Sequence, residues 1–213
     1  MKDLVIIGAG DFGREIANVV ERINAVEGEW NLLGFVDDNS DIQGNFIDGY
    51  KVLGNVNWLN SYSNEIYAIC SLGVAKTRKK VISRVTNLNV KYASLVDPDA
   101  RLYKDAIIGE GSIICGGSIA AINTSIGKHV IVNLNCTLGH DDIIGDYSVV
   151  NPGVNISGKV EIGECVDLGT GSRIIQGHKI TEDTIIGAGA VVLKDIDEAG
   201  TYVGVPAKKV KYV

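Results

Sequence analysis

No apolar run in this chain reaches the roughly 18 residues that a membrane-spanning helix requires. The opening Met1-Lys2-Asp3-Leu4-Val5-Ile6-Ile7-Gly8 has too short an apolar core for a signal peptide. Asp11, Arg14 and Glu15 follow at once, so no leader is expected. An excess of positive charge is also missing. Lys and Arg number 20 against 26 Asp and Glu, for a net charge of −6, and neither half of the chain is basic. That argues against a protein that tracks a nucleic-acid backbone. The four cysteines, Cys70, Cys115, Cys136 and Cys165, form no C-x-x-C pair, which removes the common zinc and dithiol readings. They are expected to be buried thiols in a reducing cytoplasm. Histidine is scarce as well. With only His129, His140 and His178, widely separated, no metal site is expected. What remains, at 46% hydrophobic and 22% charged residues, is the balance of an ordinary folded protein. Its 213 residues suit one large domain or two small ones.

The second half is governed by a period of six. Of the seventeen positions taken every sixth residue from Val96 to Val192, sixteen are Ile, Leu or Val, without one insertion; Ala120 is the exception. Four residues further on in each hexad, fourteen of seventeen are Ala, Ser, Thr, Val or Cys, the others being Asp142, His178 and Ile196. Gly follows the aliphatic residue seven times, as at Gly109, Gly127, Gly145 and Gly187. Helices repeat apolar residues at three and four, and strands alternate them; neither produces a strict six. A parallel β-helix does. Each hexad is a short strand plus a corner, the aliphatic side chain points inward, and small residues sit where the corner crowds the interior.

The first ninety residues have another rhythm. Leu4 to Ile7 reads as a buried strand, and Gly8-Ala9-Gly10-Asp11-Phe12-Gly13 follows it. Arg14 to about Val26 reads as a helix, with Ile16, Val19, Val20 and Ile23 on one face. Strands are expected at Leu32–Val36, ending in Asp37-Asp38, and at Ile66–Ile69, with a second helix from Ala75 to about Leu88. This strand–helix alternation implies a parallel sheet. The glycine motif thus lies between a strand and a helix, where backbone can approach an anion at the helix N-terminus. Asp37 and Asp38 come about 24 residues after Gly13, near the usual ribose-binding spacing. A nicotinamide dinucleotide needs two such halves; ninety residues hold one, which suits a single nucleotide.

His140 stands apart from the other histidines. It takes the third place of its hexad, a corner rather than the interior column, and Asp141 and Asp142 follow it. A neighbouring carboxylate holds an imidazole in one tautomer and stabilises its charged form. A surface histidine beside surface acids is the plainer alternative. His178 is expected to face a widened corner or solvent, and His129 to be structural or exposed.

The hexads, with the closing Gly204-Val205-Pro206-Ala207-Lys208, resemble the hexapeptide-repeat acyltransferases. Their fold is a left-handed β-helix with three hexads per coil, and they end in G-x-P-A-K. With Gly8-Ala9-Gly10, Gly34-Phe35-Val36-Asp37-Asp38-Asn39, Asn133 and Gly139-His140-Asp141, the whole chain resembles one branch of them. That branch comprises the bacterial nucleotide-sugar acetyltransferases and the sialic acid O-acetyltransferase type. The resemblance implies a mainly β protein in which a left-handed parallel β-helix is preceded by a small α/β half-Rossmann domain. The expected boundaries are 1–91, 92–197 and a tail at 198–213. It implies that Gly8, Gly10, Gly13, Asp37 and Asp38 hold the nucleotide, that His140 is the catalytic base aided by Asp141, and that Asn133 lines the same pocket. Acetyl-CoA is expected near Gly158, Ala188, Gly204, Pro206 and Lys208. The implied protein is a cytoplasmic homotrimer that N-acetylates a nucleotide-linked amino sugar for bacterial surface glycans, without a metal. Two departures stand out. Asp11-Phe12 replaces a Gly-His pair, and Val149 replaces a second histidine. Sugar O-acetylation of the sialic acid type, and a non-catalytic nucleotide-binding hexapeptide-repeat protein, are the readings in competition. A serine-type acetyltransferase would begin with helices, which the glycine motif disfavours.

Overall fold

The computed structural model describes residues 1–211, and the chain divides into two compact units, Met1–Pro98 and Asp99–Val213. In the first unit the order is β1 (Lys2–Ile7), α1 (Asp11–Val26), β2 (Trp30–Val36), β3 (Phe46–Ile47), β4 (Tyr50–Lys51), α2 (Trp58–Ser61), β5 (Ile66–Cys70), α3 (Ala75–Ile82) and β6 (Val90–Tyr92). Four of these strands form a parallel sheet in the order β2-β1-β5-β6. Leu4 to Ile7 is buried without alternation, as a central parallel strand covered on both faces must be. One face of α1 buries Ile16, Val19, Val20 and Ile23.

Several boundaries differ from the expected ones, each for a local reason. α1 begins at Asp11 rather than Arg14, because Gly10 is extended and caps the helix, leaving an acid in the first turn where the helix dipole favours it. β2 starts at Trp30 because the Asn24 side chain accepts from the Trp30 amide at 2.8 Å and donates to its carbonyl at 2.7 Å. α3 stops at Ile82 instead of running to Leu88. The chain beyond it is taken by Asn60, whose Oδ1 accepts from the amides of Thr86 and Asn87. The β3–β4 hairpin and α2 carry no hydrophobic period and were not foreseen.

In the second unit each hexad contributes a two-residue strand, such as Ile107–Ile108, Ile113–Ile114 and Ile119–Ala120. Until the last coil, each strand pairs in parallel with the one eighteen residues on: Ile113 with Ile131, Ile119 with Thr137, Ser125 with Ile143. Three hexads therefore make one coil, and the strands stack into three faces. The first face runs from Ile113–Ile114 up to Thr201–Val203. The second holds Arg101–Leu102 to Val191–Val192, and the third Ile107–Ile108 to Lys179–Ile180. The aliphatic hexad positions fill the interior, with Ile126, Ile144, Ile162 and Ile180 stacked in register and all buried. From Gly111 to Gly189 every sixth residue, one per corner, has φ between +54° and +76°, a region where Gly, Asn and Asp are tolerated. Asn123, Asn135, Asp141 and Asp183 stand at such corners. Above the last coil, Thr201–Val203 turns back antiparallel into Lys208–Lys209.

Candidate functional site

One edge of the β-helix carries the chemistry. Where the chain passes from the second face to the third, successive coils place Asn123, then His140 and Asp141, then Gly158 and Lys159, then Gln176 and Gly177. Asp141 has φ +62°, so the left-handed corner falls on the residue after His140 and turns the imidazole outward. His140 Nδ1 lies 2.8 Å from Asp141 Oδ2. Asn123, one coil below, donates to the other oxygen of Asp141 at 3.0 Å. These two bonds, His140 first and Asn123 second, hold the Asp141 carboxyl below the usual carboxylate range. An ionised Asp141 accepts, so Nδ1 carries a hydrogen and the neutral form of the imidazole has its lone pair on Nε2. Asn123 was not foreseen; its signal is the spacing of eighteen, one coil, from Asp141.

Above the imidazole stands Gly158. A methyl group placed there would sit 2.5 Å from His140 Nε2 and 2.7 Å from Cε1. His140, Gly158, Lys159, Gln176 and Gly177 line a groove of about 350 Å³. Gly158 therefore leaves room for the flat face of the imidazole beside Nε2. Asp142, the next residue but one, points the other way. It is fully buried, and burial pushes its carboxyl up to about 6 against the bonds it accepts from Val160 and Gly139.

In sequence only His140 stands beside a pair of carboxylates, but coil stacking gives His178 a carboxylate partner too. His178 Nδ1 lies 2.8 Å from Asp195 Oδ1, one coil above it, and the pair holds the Asp195 carboxyl low. His178 is thus neither loose nor simply solvent-facing. His129 is buried and stacks on Tyr147, eighteen residues on, with ring centroids 5.1 Å apart. All four cysteines are buried free thiols.

The other expected residues fall on a different edge, where the first face passes to the second. Asn133 lies there, its Oδ1 accepting from the Leu134 amide, and so does Ala188 three coils above. The tail caps that edge. Val191 N donates to Gly204 O, Ala207 N donates to Val191 O, and Pro206 sits between them in a turn that ends in Lys208. A single chain thus groups Ala188, Gly204, Pro206 and Lys208, and separates them and Asn133 from Gly158 and His140.

In the first unit, the glycine loop leaves the carboxyl end of β1, the side of a parallel sheet on which ligands bind. Gly8 has φ +101°, and a side chain at Gly13 would strike the Gly8 carbonyl. Gly10 faces open space. Ser71, also unforeseen, is buried and donates toward the carbonyls of Ile7 and Gly8. Asp37 ties the loop to β2: its two oxygens accept from Ala9 N at 2.8 Å and Asn39 N at 2.9 Å. Asp38 pairs with Arg84 and accepts from Val56 N. That bond to Arg84, against desolvation, holds the Asp38 carboxyl low. Both acids therefore already serve the loops around this end of the sheet. Among the described residues no helix is long and apolar enough to cross a membrane.

A three-sided β-helix with a histidine–carboxylate pair on an open edge, behind a parallel α/β unit, defines the class of left-handed β-helix acyltransferases. Comparison with known proteins narrows this. Residues 3–85 match the PglD N-terminal domain. The GDP-perosamine N-acetyltransferase of Escherichia coli O157:H7 is 31% identical over 185 residues, covering 86% of this chain and 82% of that protein. The acetyltransferase domain of PglB from Neisseria gonorrhoeae FA1090 superposes with a TM-score of 0.90 at 29% identity, over 99% of this chain and 100% of that one. That domain has also been solved with acetyl coenzyme A. PerB from Caulobacter crescentus, solved with CoA and GDP-perosamine, gives 0.87 at 26% identity, over 98% and 97%. The chain belongs to the hexapeptide-repeat nucleotide-sugar acetyltransferases, enzymes that use acetyl-CoA to N-acetylate a nucleotide-linked amino sugar.

Proposed function

We propose that His140 is the general base of this acetyl transfer. The observation that carries the reading is the bond from His140 Nδ1 to Asp141, with the Nε2 side of the imidazole lying flat against the space left by Gly158. An amine attacking a thioester must lose a proton as the C–N bond forms. Nε2 takes that proton, Asp141 stabilises the imidazolium, and as the C–S bond breaks the imidazolium returns the proton to the leaving sulfur, releasing CoA as its thiol. The nucleotide is held by the first unit, through the loop at Gly8, Gly10 and Gly13 and the Asp37–Asp38 end of β2. GDP-perosamine, named in the Escherichia coli and Caulobacter relatives, is the first acceptor to assay. His140→Ala should lower kcat by about 10²–10⁴, the usual worth of a positioned base, with the KM of both substrates little changed. Turnover within threefold of native would refute the assignment, and His178 with its Asp195 partner would be next.

The working enzyme in this reading is a cytoplasmic homotrimer. Residues expected in one pocket stand on two edges of one chain, Gly158 and His140 on one, Asn133, Ala188 and the Gly204–Lys208 tail on another. Cyclic packing of three copies sets unlike edges against each other, so that acetyl-CoA lies between them. Light scattering showing an active monomer would sink this.

A further inference from the structure

We propose that Asp142 is a positioning residue, its buried carboxylate drawing the Gly139 amide out of the sheet and so setting the corner from which His140 projects. This rests on His140 being the base.

The comparison is with the other corners of the same helix. Where Ser occupies the small-residue position, its hydroxyl does two things. Ser112 accepts from Val130 N at 2.9 Å and donates to Gly127 O at 2.8 Å. Ser148 accepts from Val166 N at 3.0 Å and donates to Gly163 O at 2.8 Å. Asp142 keeps the first bond, Oδ1 accepting from Val160 N at 2.9 Å. A carboxylate has no hydrogen for the second. Its other oxygen accepts instead from Gly139 N at 2.6 Å, within its own corner.

That amide has a different partner at equivalent places. The residue after each strand normally donates to the coil above: Ala121 to Leu138, Gly127 to Ile144, Gly145 to Ile162, Ser157 to Ile174. Gly139 is turned away from that pattern. The pairing of its strand with the next is accordingly reduced to Thr137 with Asn155, where neighbouring ladders pair two residues. The Gly139 carbonyl lies 3.0 Å from the Thr124 hydroxyl below it, a donor shared with the Ala121 carbonyl at 2.8 Å. Gly139, which leads into His140, is thus held by side chains on both sides, its amide by Asp142 and its carbonyl by Thr124. Asp142 is the only acid in the seventeen small-residue positions, and it stands in the hexad of the only His–Asp dipeptide.

The charged groups around it are His140 and Asp141 on its own corner, with Lys159 on the coil above acting on Asp141. The coil below presents Asn123 and Thr124, which do not titrate. The Asp142 carboxylate also interacts with His140 through space, beside the link through the backbone.

Asp142→Ser is the test, because it restores the corner found at Ser112 and Ser148 and should fold. Steady-state assays of the full enzyme with acetyl-CoA and a nucleotide-linked amino sugar are read beside His140→Ala. The expected result is a kcat lowered about tenfold, a typical effect of a residue that orients an active group. KM values should be unchanged, the melting temperature equal or higher, and the acid limb of the pH–rate profile moved to lower pH. Asp142→Asn keeps the bond to Val160 but presents an NH₂ to the Gly139 amide, and should be at least as impaired. If His140→Ala is inactive while Asp142→Ser has native kcat and pH profile, Asp142 is structural and the proposal falls. If His140→Ala retains activity, it is the base assignment that has failed.

Discussion

The imidazole of His140 and the bare α-carbon of Gly158 face each other across one coil step, at a distance no side chain would fit: a Cβ on Gly158 would lie 2.5 Å from Nε2. Gly158 has an ordinary backbone conformation, absent from the positive-φ set, so alanine would fit the chain itself. The clash falls on an exposed side chain that can swing aside, and not on backbone. Gly158→Ala should therefore fold and melt like the native protein yet lose about 10-fold to 100-fold in kcat, since a small displacement of a catalytic group is that costly. Native turnover would mean that the working imidazole points elsewhere.

Asn123 and Asp141 give a graded series. Asp141→Asn keeps the imidazole but removes the anion that holds its tautomer, and should cost less than His140→Ala. Asn123 has φ +57°, so alanine would add backbone strain and confuse the reading. Asn123→Gly leaves the corner relaxed and removes only the amide that holds Asp141. A loss of a few-fold in kcat, with no change in melting temperature, is expected. A loss as large as that of Asp141→Asn would show that Asn123 does more than orient the acid.

Asp142 also makes a stability prediction whose sign is fixed by its environment. Burial raises its carboxyl from the ordinary 3.8 to about 6. Between those values the folded protein holds a proton that the unfolded chain has released, so stability falls as pH rises through that window. Above pH 6 the full cost is present, on the order of 2–3 kcal/mol. Asp142→Ser removes it. The variant's melting temperature relative to native should climb from pH 4 to pH 7 and then level off. A constant difference across that range would contradict the buried anion.

The β-helix could be read almost entirely from sequence because its rule is local: one aliphatic residue inward and one small residue at the corner, repeated every six. His140 and Asp141 were legible for the same reason, since hexad position says which side chains leave the core. What stacks from coil to coil was harder to see. Asn123 beneath Asp141, Asp195 above His178 and Val160 above Asp142 become neighbours only once the period of eighteen is applied to corners as well as to strands. The α/β unit follows no such count. Its hairpin and α2 are short, and the end of α3 is decided by the side chain of Asn60, which no period announces.

Ile144 and Asp146 separate interior from corner. Ile144 is buried between Ile126 and Ile162 in the aliphatic column. Ile144→Asp would strand a carboxylate among hydrocarbon and should prevent assembly. Asp146 is less of a bystander than its corner position implies, because its Oδ1 accepts from Lys128 N at 2.8 Å. Asp146→Asn retains that oxygen and should melt within about 0.5 kcal/mol of native, whereas Asp146→Ala should lose about 1 kcal/mol. Chemical denaturation distinguishes the two. A well-folded Ile144→Asp would mean that the hexad register is wrong.

Asp37 tests the nucleotide end. The carboxylate was expected to meet the ribose, and it is found bonded to Ala9 N in the glycine loop and to Asn39 N beyond β2. Either role makes it a determinant of nucleotide affinity, by contact in one case and by holding the loop in the other. Asp37→Ala removes a charged acceptor, a loss of about 1.5–3 kcal/mol, which corresponds to a roughly 10-fold to 100-fold higher KM for the nucleotide sugar. The KM for acetyl-CoA should stay as it was. Asp37→Asn tells the two roles apart. Its Oδ1 can still accept one backbone amide, so an enzyme that needs Asp37 only to hold the loop should recover part of the loss. If the ribose contact dominates, Asp37→Asn should be nearly as impaired as Asp37→Ala. An unchanged nucleotide-sugar KM in both variants would remove Asp37 from the binding site, and Asp38 with its Arg84 partner would then be the acid to test.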